Sequence, residues 1–397
     1  MKRIHLTTLT LLALFASFSV VAQKPISQEE LDEMRVYTDY DKALKKASDI
    51  YILDLSGQEL TAIPKTINRM RRLQVLILSN NHLVNLNPSI YKLKNLQVLA
   101  LDSNYIKNVP GKLSLLENLE ELYLGNNKFT TLPDQFSEME SLEILSLREM
   151  PNLDLETIFR PLSNIPTLEG LDLGYCDFDT VPWQVANIQG LRTLDLSGNP
   201  SIEWDTSFQF LAQTNTIEIL ILSDNKLRNL PASIGKIDRI STIDLSNNPK
   251  LNFMGLAEVL KPLYRLEVLD ISSCGLDEIP KQIGGLKNLT ELYAQDNSIS
   301  KVSSGISNLE NLEVLNLRNN ALTEIDENFG ELQSLEELYL YNNPIDYVSE
   351  DVKDLKDLNL LELPDASLDK TSKKNIKKWL PETEIIFKDP PKKKKKK

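Results

Sequence analysis

The sequence predicts an α/β solenoid: a right-handed coil of short turns, with a parallel sheet on its concave side and helical or extended segments on its convex side. Three observations predict it. The pattern L-x-x-L-x-L-x-x-N-x-L starts at Ile50, Leu73, Leu96, Leu119, Leu142, Leu168, Leu191, Ile217, Ile240, Leu266, Leu289, Leu312 and Leu335, with a decayed copy at Leu358. Successive starts are 23 residues apart, except for three intervals of 26. Inside each copy the stretch x-L-x-L-x alternates with period two, which is the pattern of a strand buried on one face. Self-similarity at a fixed period marks stacked units that share one continuous core.

Residues 1–22 read as a secretory signal peptide. Lys2 and Arg3 give a basic start, and Leu9 to Val21 is an apolar run too short to span a bilayer. Val20 and Ala22 place small residues before a cut ahead of Gln23. No Cys follows that cut, which argues against a lipid anchor. Residues 23–49 are expected to be an N-terminal helical cap. Ser27 with Glu30 makes a capping box, and Asp39 to Ala47 suits a second short helix. A cap is needed because an uncovered layer of Leu would aggregate.

Residues 50–368 hold the repeats. The Leu of each x-L-x-L-x point inward and the x positions outward, with strands of successive turns about 4.8 Å apart. The rest of each copy returns over the other side and buries a second apolar set: Ile67, Ile90, Phe136, Ile234, Ile283 and Phe329. Asn81, Asn104, Asn127, Asn199, Asn225, Asn248, Asn297, Asn320 and Asn343 close their turns, where a buried amide can satisfy loop backbone groups. Cys176 and Cys274 occupy the same position in copies four strands apart. At roughly 19 Å by the usual strand spacing they cannot meet, since a disulfide needs Cα atoms within about 7 Å. Two free, buried thiols are expected. Met150 also falls at a closing position and is expected to make that turn irregular. The 26-residue copies, starting at Leu142, Leu191 and Ile240, are expected to carry fuller helices, such as 205–214 and 254–262.

This pattern resembles the leucine-rich repeat family, and the resemblance covers Ile50 to about Leu368. Copies that continue as L-P-x-x-I, as at Leu132-Pro133, Leu230-Pro231 and Ile279-Pro280, resemble bacterial members and Ras-signalling scaffolds. The resemblance implies a horseshoe solenoid with a binding role. The entry around Ile52-Leu53-Asp54-Leu55-Ser56-Gly57 is similar to that of bacterial members. Neither end has the Cys clusters of animal extracellular members, and the repeats leave no room for the additional domain that makes some bacterial members ubiquitin ligases.

Residues 369–389 are expected to form a C-terminal cap: a basic helix over 368–380, stopped by Pro381, then a last strand through Ile385, Ile386 and Phe387. Residues 390–397, two Pro and six Lys, are expected from their composition to be disordered. From Lys370 onward there are 12 Lys against Glu382, Glu384 and Asp389, a charge of +9. The rest of the chain after the predicted cut holds 30 basic and 54 acidic residues, a charge of −24. Such a body repels nucleic acid and anionic membrane and favours basic or neutral partners. The tail Lys392–Lys397 offers a tether to an anionic surface, or is simply a solvated end.

Catalytic signatures are absent from the sequence: there is no G-x-S-x-G, H-E-x-x-H, phosphate loop or EF-hand loop. After the predicted cut the chain has one histidine, His82, beside a closing Asn, where it reads as an exposed turn residue. A non-enzymatic protein without metal or cofactor is expected, and Asn288-Leu-Thr290 reads as a chance sequon.

The outward sheet positions are the candidate site. Asp172 and Asp195 fall on neighbouring strands, as do Asp244 and Asp270. Like charges so placed repel, which points to a basic partner or a cation, or to relief by Arg148 or Arg192. Tyr293, Asn316, Arg318, Tyr339 and Tyr341 cluster on three consecutive copies between Glu291 and Glu337, with Tyr123 in a weaker second patch. Tyr and Arg are enriched at binding hot spots, although Tyr also favours any strand. The expected function is an exported, monomeric binding protein holding a protein or peptide ligand. The rivals are a surface adhesin that binds glycan, and an assembly protein docked through its tail.

Overall fold

The structure, a computed structural model, describes residues 30–31 and 33–388. The expected signal peptide, Ser27 of the capping box and the lysine tail lie outside the described residues. The chain forms two compact units. The first runs to Phe178 and takes in Pro182–Asp195; the second comprises Asp179–Val181 and the chain from Leu196.

Sixteen strands follow one another in one long parallel sheet. In the first unit these include Ile52–Asp54, Val75–Ile77, Val98–Ala100, Glu121–Tyr123, Ile144–Ser146, Gly170–Asp172 and Thr193–Asp195. In the second they include Ile219–Ile221, Thr242–Asp244, Val268–Asp270, Glu291–Tyr293, Val314–Asn316, Glu337–Tyr339 and Leu360–Pro364. Within each unit the register of the repeat strands is in step, with Leu76 opposite Leu99 and Leu99 opposite Leu122. The equal period therefore sets Leu against Leu, and Leu76, Leu99 and Leu122 are fully buried. A slip of one residue would turn that whole row to solvent, which is why the pattern specifies the register so strongly.

Most turns are closed by an Asn. The Asn81 Oδ1 accepts from the N–H groups of Gln58 at 3.1 Å and Leu60 at 2.9 Å. Its Nδ2 donates to the carbonyls of Leu55 and Leu78, both at 2.9 Å. The residue before the Asn is left-handed, as at Asn80 (φ 58°), Asn126 (φ 48°) and Asn319 (φ 55°), a conformation in which Asn is several-fold enriched. Met150 keeps the backbone of its turn but, as expected, cannot bond as an amide does, since a thioether has no hydrogen to donate. Glu149 before it has φ 59°, and the Met150 Sδ accepts the Asn127 N–H at 3.0 Å, so a weak thioether acceptor stands in for the amide oxygen.

On the return side, 23-residue copies make a single 3-10 turn, such as Asp134–Glu138 or Ala232–Lys236, each preceded by Pro with an extended backbone. Proline fits there because the first turn needs no N–H from it. The three extra residues of the long copies turn this segment into α-helix: Leu155–Leu162, Trp204–Leu211 and Phe253–Leu260. Phe159 and Phe208 on two of these are fully buried. Two small parallel sheets also run along the return side of the second unit, Glu278–Ile279 with Lys301–Val302 and Glu324–Ile325 with Tyr347–Val348.

The segment expected to be a helical cap has helix at Tyr40–Leu44, capped by Asp39, but it also contains a strand, Val36–Tyr37, that pairs in parallel with Ile52–Asp54. That strand satisfies the first backbone edge, which helix alone would leave open. At the other end Lys370–Trp379 is helical with Asp369 as its cap, and Glu384–Lys388 adds a last strand to Leu360–Pro364 over five residues. Among the described residues no helix is long and apolar enough to cross a membrane.

Candidate functional site

The outward sheet face carries two clusters, one in each unit. In the first, Asp172 is hydrogen-bonded by the Ser146 hydroxyl at 2.8 Å and the Gly174 N–H at 2.9 Å. The Arg148 guanidinium reaches forward to Asp172 at 3.4 Å and to Asp195 at 3.0 Å, with its flat face over the Tyr175 ring. One cation thus serves both carboxylates, so the repulsion that suggested an external basic partner is relieved from within. Arg192 lies beside Glu169, at 3.5 Å. Burial nevertheless pushes Asp172 up to about 6, with the neighbouring Asp195 charge adding to it.

The pair Asp244 and Asp270 differs. The two face each other across paired strands, and each accepts the N–H of the Ser two residues on, at 2.8 Å. Asp270 has no cationic partner among the described residues, and burial followed by the Asp244 charge raises it to about 6, against the pull of its Ser272 hydrogen bonds. A carboxyl raised on folding stabilises the fold below its unfolded value near 4, and that stability is lost as pH rises through about 6. Asp270→Asn removes the penalty: its melting temperature is expected to exceed that of the unsubstituted chain at pH 8 and to match it at pH 4. Equal melting temperatures at pH 8 would show that the carboxylate sits there without strain.

In the second unit Tyr293, Asn316, Tyr339 and Glu362 form one row across four paired strands. Tyr293 donates its phenol hydrogen to Glu291 at 2.6 Å, and Tyr339 donates to Glu337 at 2.5 Å. Tyr123 in the first unit repeats the motif with Glu121 at 2.6 Å. Desolvation, then the carboxylate partner, pushes the Tyr339 phenol up to about 12, and Tyr293 and Tyr123 higher still. Each ring is therefore pinned along its own strand, and its hydroxyl is already engaged. Arg318 lies over the Tyr339 ring, 4.1 Å from its centroid, and grips Glu362 through Nε at 2.8 Å and Nη2 at 2.7 Å. Asn316 is largely buried, and its Oδ1 accepts the Arg318 N–H at 3.2 Å, so it braces the cluster. Tyr341 lies under the Lys388 ammonium, 4.9 Å away.

Sequence reasoning missed Glu362 and Lys388 as members of this cluster. A signal was present for the first. Arg148 and Arg318 hold the same place in their copies, and in each case a carboxylate stands at the central outward position two copies later, Asp195 and Glu362. Also missed was a ladder in the first unit, where Gln74 donates to Gln97 and Gln97 donates to Glu120 at 2.9 Å. Glu143, further along that row, is raised to about 7 by burial and then by Glu120 and Glu169.

Nucleophiles are suppressed. Burial raises both Cys176 and Cys274 to about 12, so they stay protonated, and each donates to a carbonyl at 3.2 Å. Both are free, as expected. Among the described residues no group of three His, Cys, Asp or Glu is placed to hold a metal. His82 is exposed and lies against Tyr105.

Stacked identical turns with a rigid outward sheet define a repeat scaffold of the kind that typically binds proteins. The leucine-rich repeat region profile matches residues 43–183 and 254–383, and the chain belongs to the leucine-rich repeat family. A leucine-rich repeat protein of Leptospira interrogans is similar over 89% of this chain and 100% of its own, with 28% identity and a TM-score of 0.55. The TLR13–ssRNA13 complex is similar over 87% of this chain and 61% of that chain (21% identity, TM-score 0.57). An internalin of Listeria monocytogenes covers 88% of this chain and 89% of its own, at 19% identity and a TM-score of 0.47. No curated protein matches the chain.

Proposed function

We propose that this is an exported, bacterial-type binding protein that holds a protein or peptide ligand on its outward sheet face, at Tyr293, Arg318, Tyr339 and Tyr341 with Glu291 and Glu337 around them. The observation that carries the reading is immobilisation. Two tyrosines are tied to carboxylates and the arginine is clamped between a ring and a buried Glu. Side chains already fixed before contact lose little freedom on binding, which lowers the entropic cost of association. Family membership supports the binding class, and export rests on the signal-peptide pattern of residues 1–22. Asp244 and Asp270 favour a ligand with a basic group, since Asp270 has no cation of its own.

The test is a pull-down from envelope and host extracts with the mature chain, compared with the triple variant Tyr293→Ala, Tyr339→Ala, Tyr341→Ala. The captured protein is expected to be lost from the variant, at an affinity at least about tenfold weaker given the usual worth of aromatic hot spots, while the far-ultraviolet spectrum is unchanged. Capture that is equal in the two sinks the reading. Capture of glycan would move the assignment to the adhesin rival.

A further inference from the structure

In the first unit the sign of the charge reverses abruptly along the chain. Residues 60–116 hold eight Lys and Arg against one acidic residue, Asp102. Residues 117–143 hold seven acidic residues against one basic residue, Lys128. The period turns this reversal into a pattern in space. Two residues before each new copy stand Arg71, Lys94, Glu117 and Glu140; four residues before stand Arg69, Lys92, Leu115 and Glu138. The second set are the last residues of their 3-10 turns, at the corner where the return segment meets the next strand. All eight residues are exposed.

These corners are fastened side by side. The Asn95 side-chain amide donates to the Arg71 carbonyl at 2.7 Å, that of Asn118 to the Lys94 carbonyl at 2.7 Å, and the Ser141 hydroxyl to the Glu117 carbonyl at 2.8 Å. Successive turns therefore present two adjacent columns. One reads plus, plus, minus, minus; the other reads plus, plus, apolar, minus. The seam falls between the second and third turns, where the Lys94 ammonium reaches across to Glu117 at 2.8 Å and to the Leu115 carbonyl at 2.6 Å. Leu115 is 46% exposed.

We propose that this corner is the interface of a symmetric dimer, its occupant a second copy of this chain. A two-fold interface sets one patch against itself in reverse order, so a charged one needs a surface whose sign changes about its centre. These columns change sign about the Lys94–Glu117 seam. With the two-fold axis crossing them there, Arg71 faces Glu140 of the second copy, Arg69 faces Glu138, and Lys94 and Glu117 of both copies meet at the axis. Lys92 faces Leu115, whose exposed side chain the aliphatic stem of a lysine can cover. A membrane or any uniformly anionic partner suits the basic half alone and is repelled by Glu117, Glu138 and Glu140. Exposed ion pairs are individually weak and are screened by salt, so the dimer is reversible, in place of the monomer expected from the sequence. The interface uses first-unit residues only and does not rest on the reading of the tyrosine row.

The test is sedimentation velocity on the mature chain over a range of concentrations, at about 20 mM and about 500 mM sodium chloride. A dimer is expected at low salt and a monomer at high salt. Arg69→Glu with Arg71→Glu, and separately Glu138→Lys with Glu140→Lys, should each raise the dimer dissociation constant at least about tenfold, since like charges then face each other. An equimolar mixture of the two variants should dimerise again, because each carries the charge that the other lacks, and that recovery also shows that both variants fold. A monomer at every concentration in low salt, association that survives either reversal, or a mixture that stays monomeric overturns the proposal. Self-association through the lysine-rich end would survive both reversals and so overturns it too. Binding of phosphatidylglycerol vesicles by a chain that stays monomeric overturns it in favour of a membrane.

Discussion

Asn248→Ala is expected to destabilise the second unit by about 4 kcal/mol, since it strands two buried N–H groups at roughly 1–3 kcal/mol each. Asn248 is fully buried. Its Oδ1 accepts from Asn225 at 3.1 Å and Leu227 at 2.9 Å, and its Nδ2 donates to the carbonyls of Leu222 at 3.0 Å and Leu245 at 2.8 Å. One small side chain therefore serves groups on two turns. Alanine removes every one of these partners and leaves the backbone in place. Urea unfolding followed by circular dichroism measures the loss. A cost under about 1 kcal/mol, the net value of a single ordinary hydrogen bond, would show that solvent replaces the amide and that the ladder does not hold the turns.

Arg318→Ala is the second large effect, at about 3 kcal/mol or more, because it leaves a buried carboxylate without its cation. Glu362 has a side chain only 6% exposed and is held by two bonds from the guanidinium. Most of the expected loss lies in abandoning that charge rather than in the intrinsic strength of the pair. The double variant Arg318→Ala, Glu362→Leu should therefore recover most of the stability lost by the single one. If the double variant is as unstable as Arg318→Ala alone, the loss belongs to the cover Arg318 gives Tyr339, not to the buried charge.

Most of the fold was legible because the period does the work. The positions of Leu76 and Leu99 in the sequence place them side by side in the sheet, and the extra three residues of the copies at Leu142, Leu191 and Ile240 become helix as expected. Cys176 and Cys274 could be separated by counting turns. What was not legible lies across the period. The repeat assigns each outward residue a place but not a side-chain direction, so for Asp172 and Asp195 an external cation and relief by Arg148 or Arg192 stood side by side until Arg148 was seen to reach both. Nor could the pattern announce that Asn316, a candidate contact residue, accepts the Arg318 N–H on its own strand. Met150 looked like a fault in the ladder because a thioether is a poor acceptor, yet its sulfur falls where the oxygen would. The strand Val36–Tyr37 lacks any copy of the pattern, so nothing in the periodicity could announce it.

The reach of Arg148 and Arg318 changes how load travels over the sheet. In a stack of identical turns each one normally feels only the turn above and the turn below. A guanidinium that lies over the next strand and clasps the one after it laces three together. A pull on Tyr339 is then shared with the turns on either side, and that stretch of the surface yields as a plank rather than as separate slats.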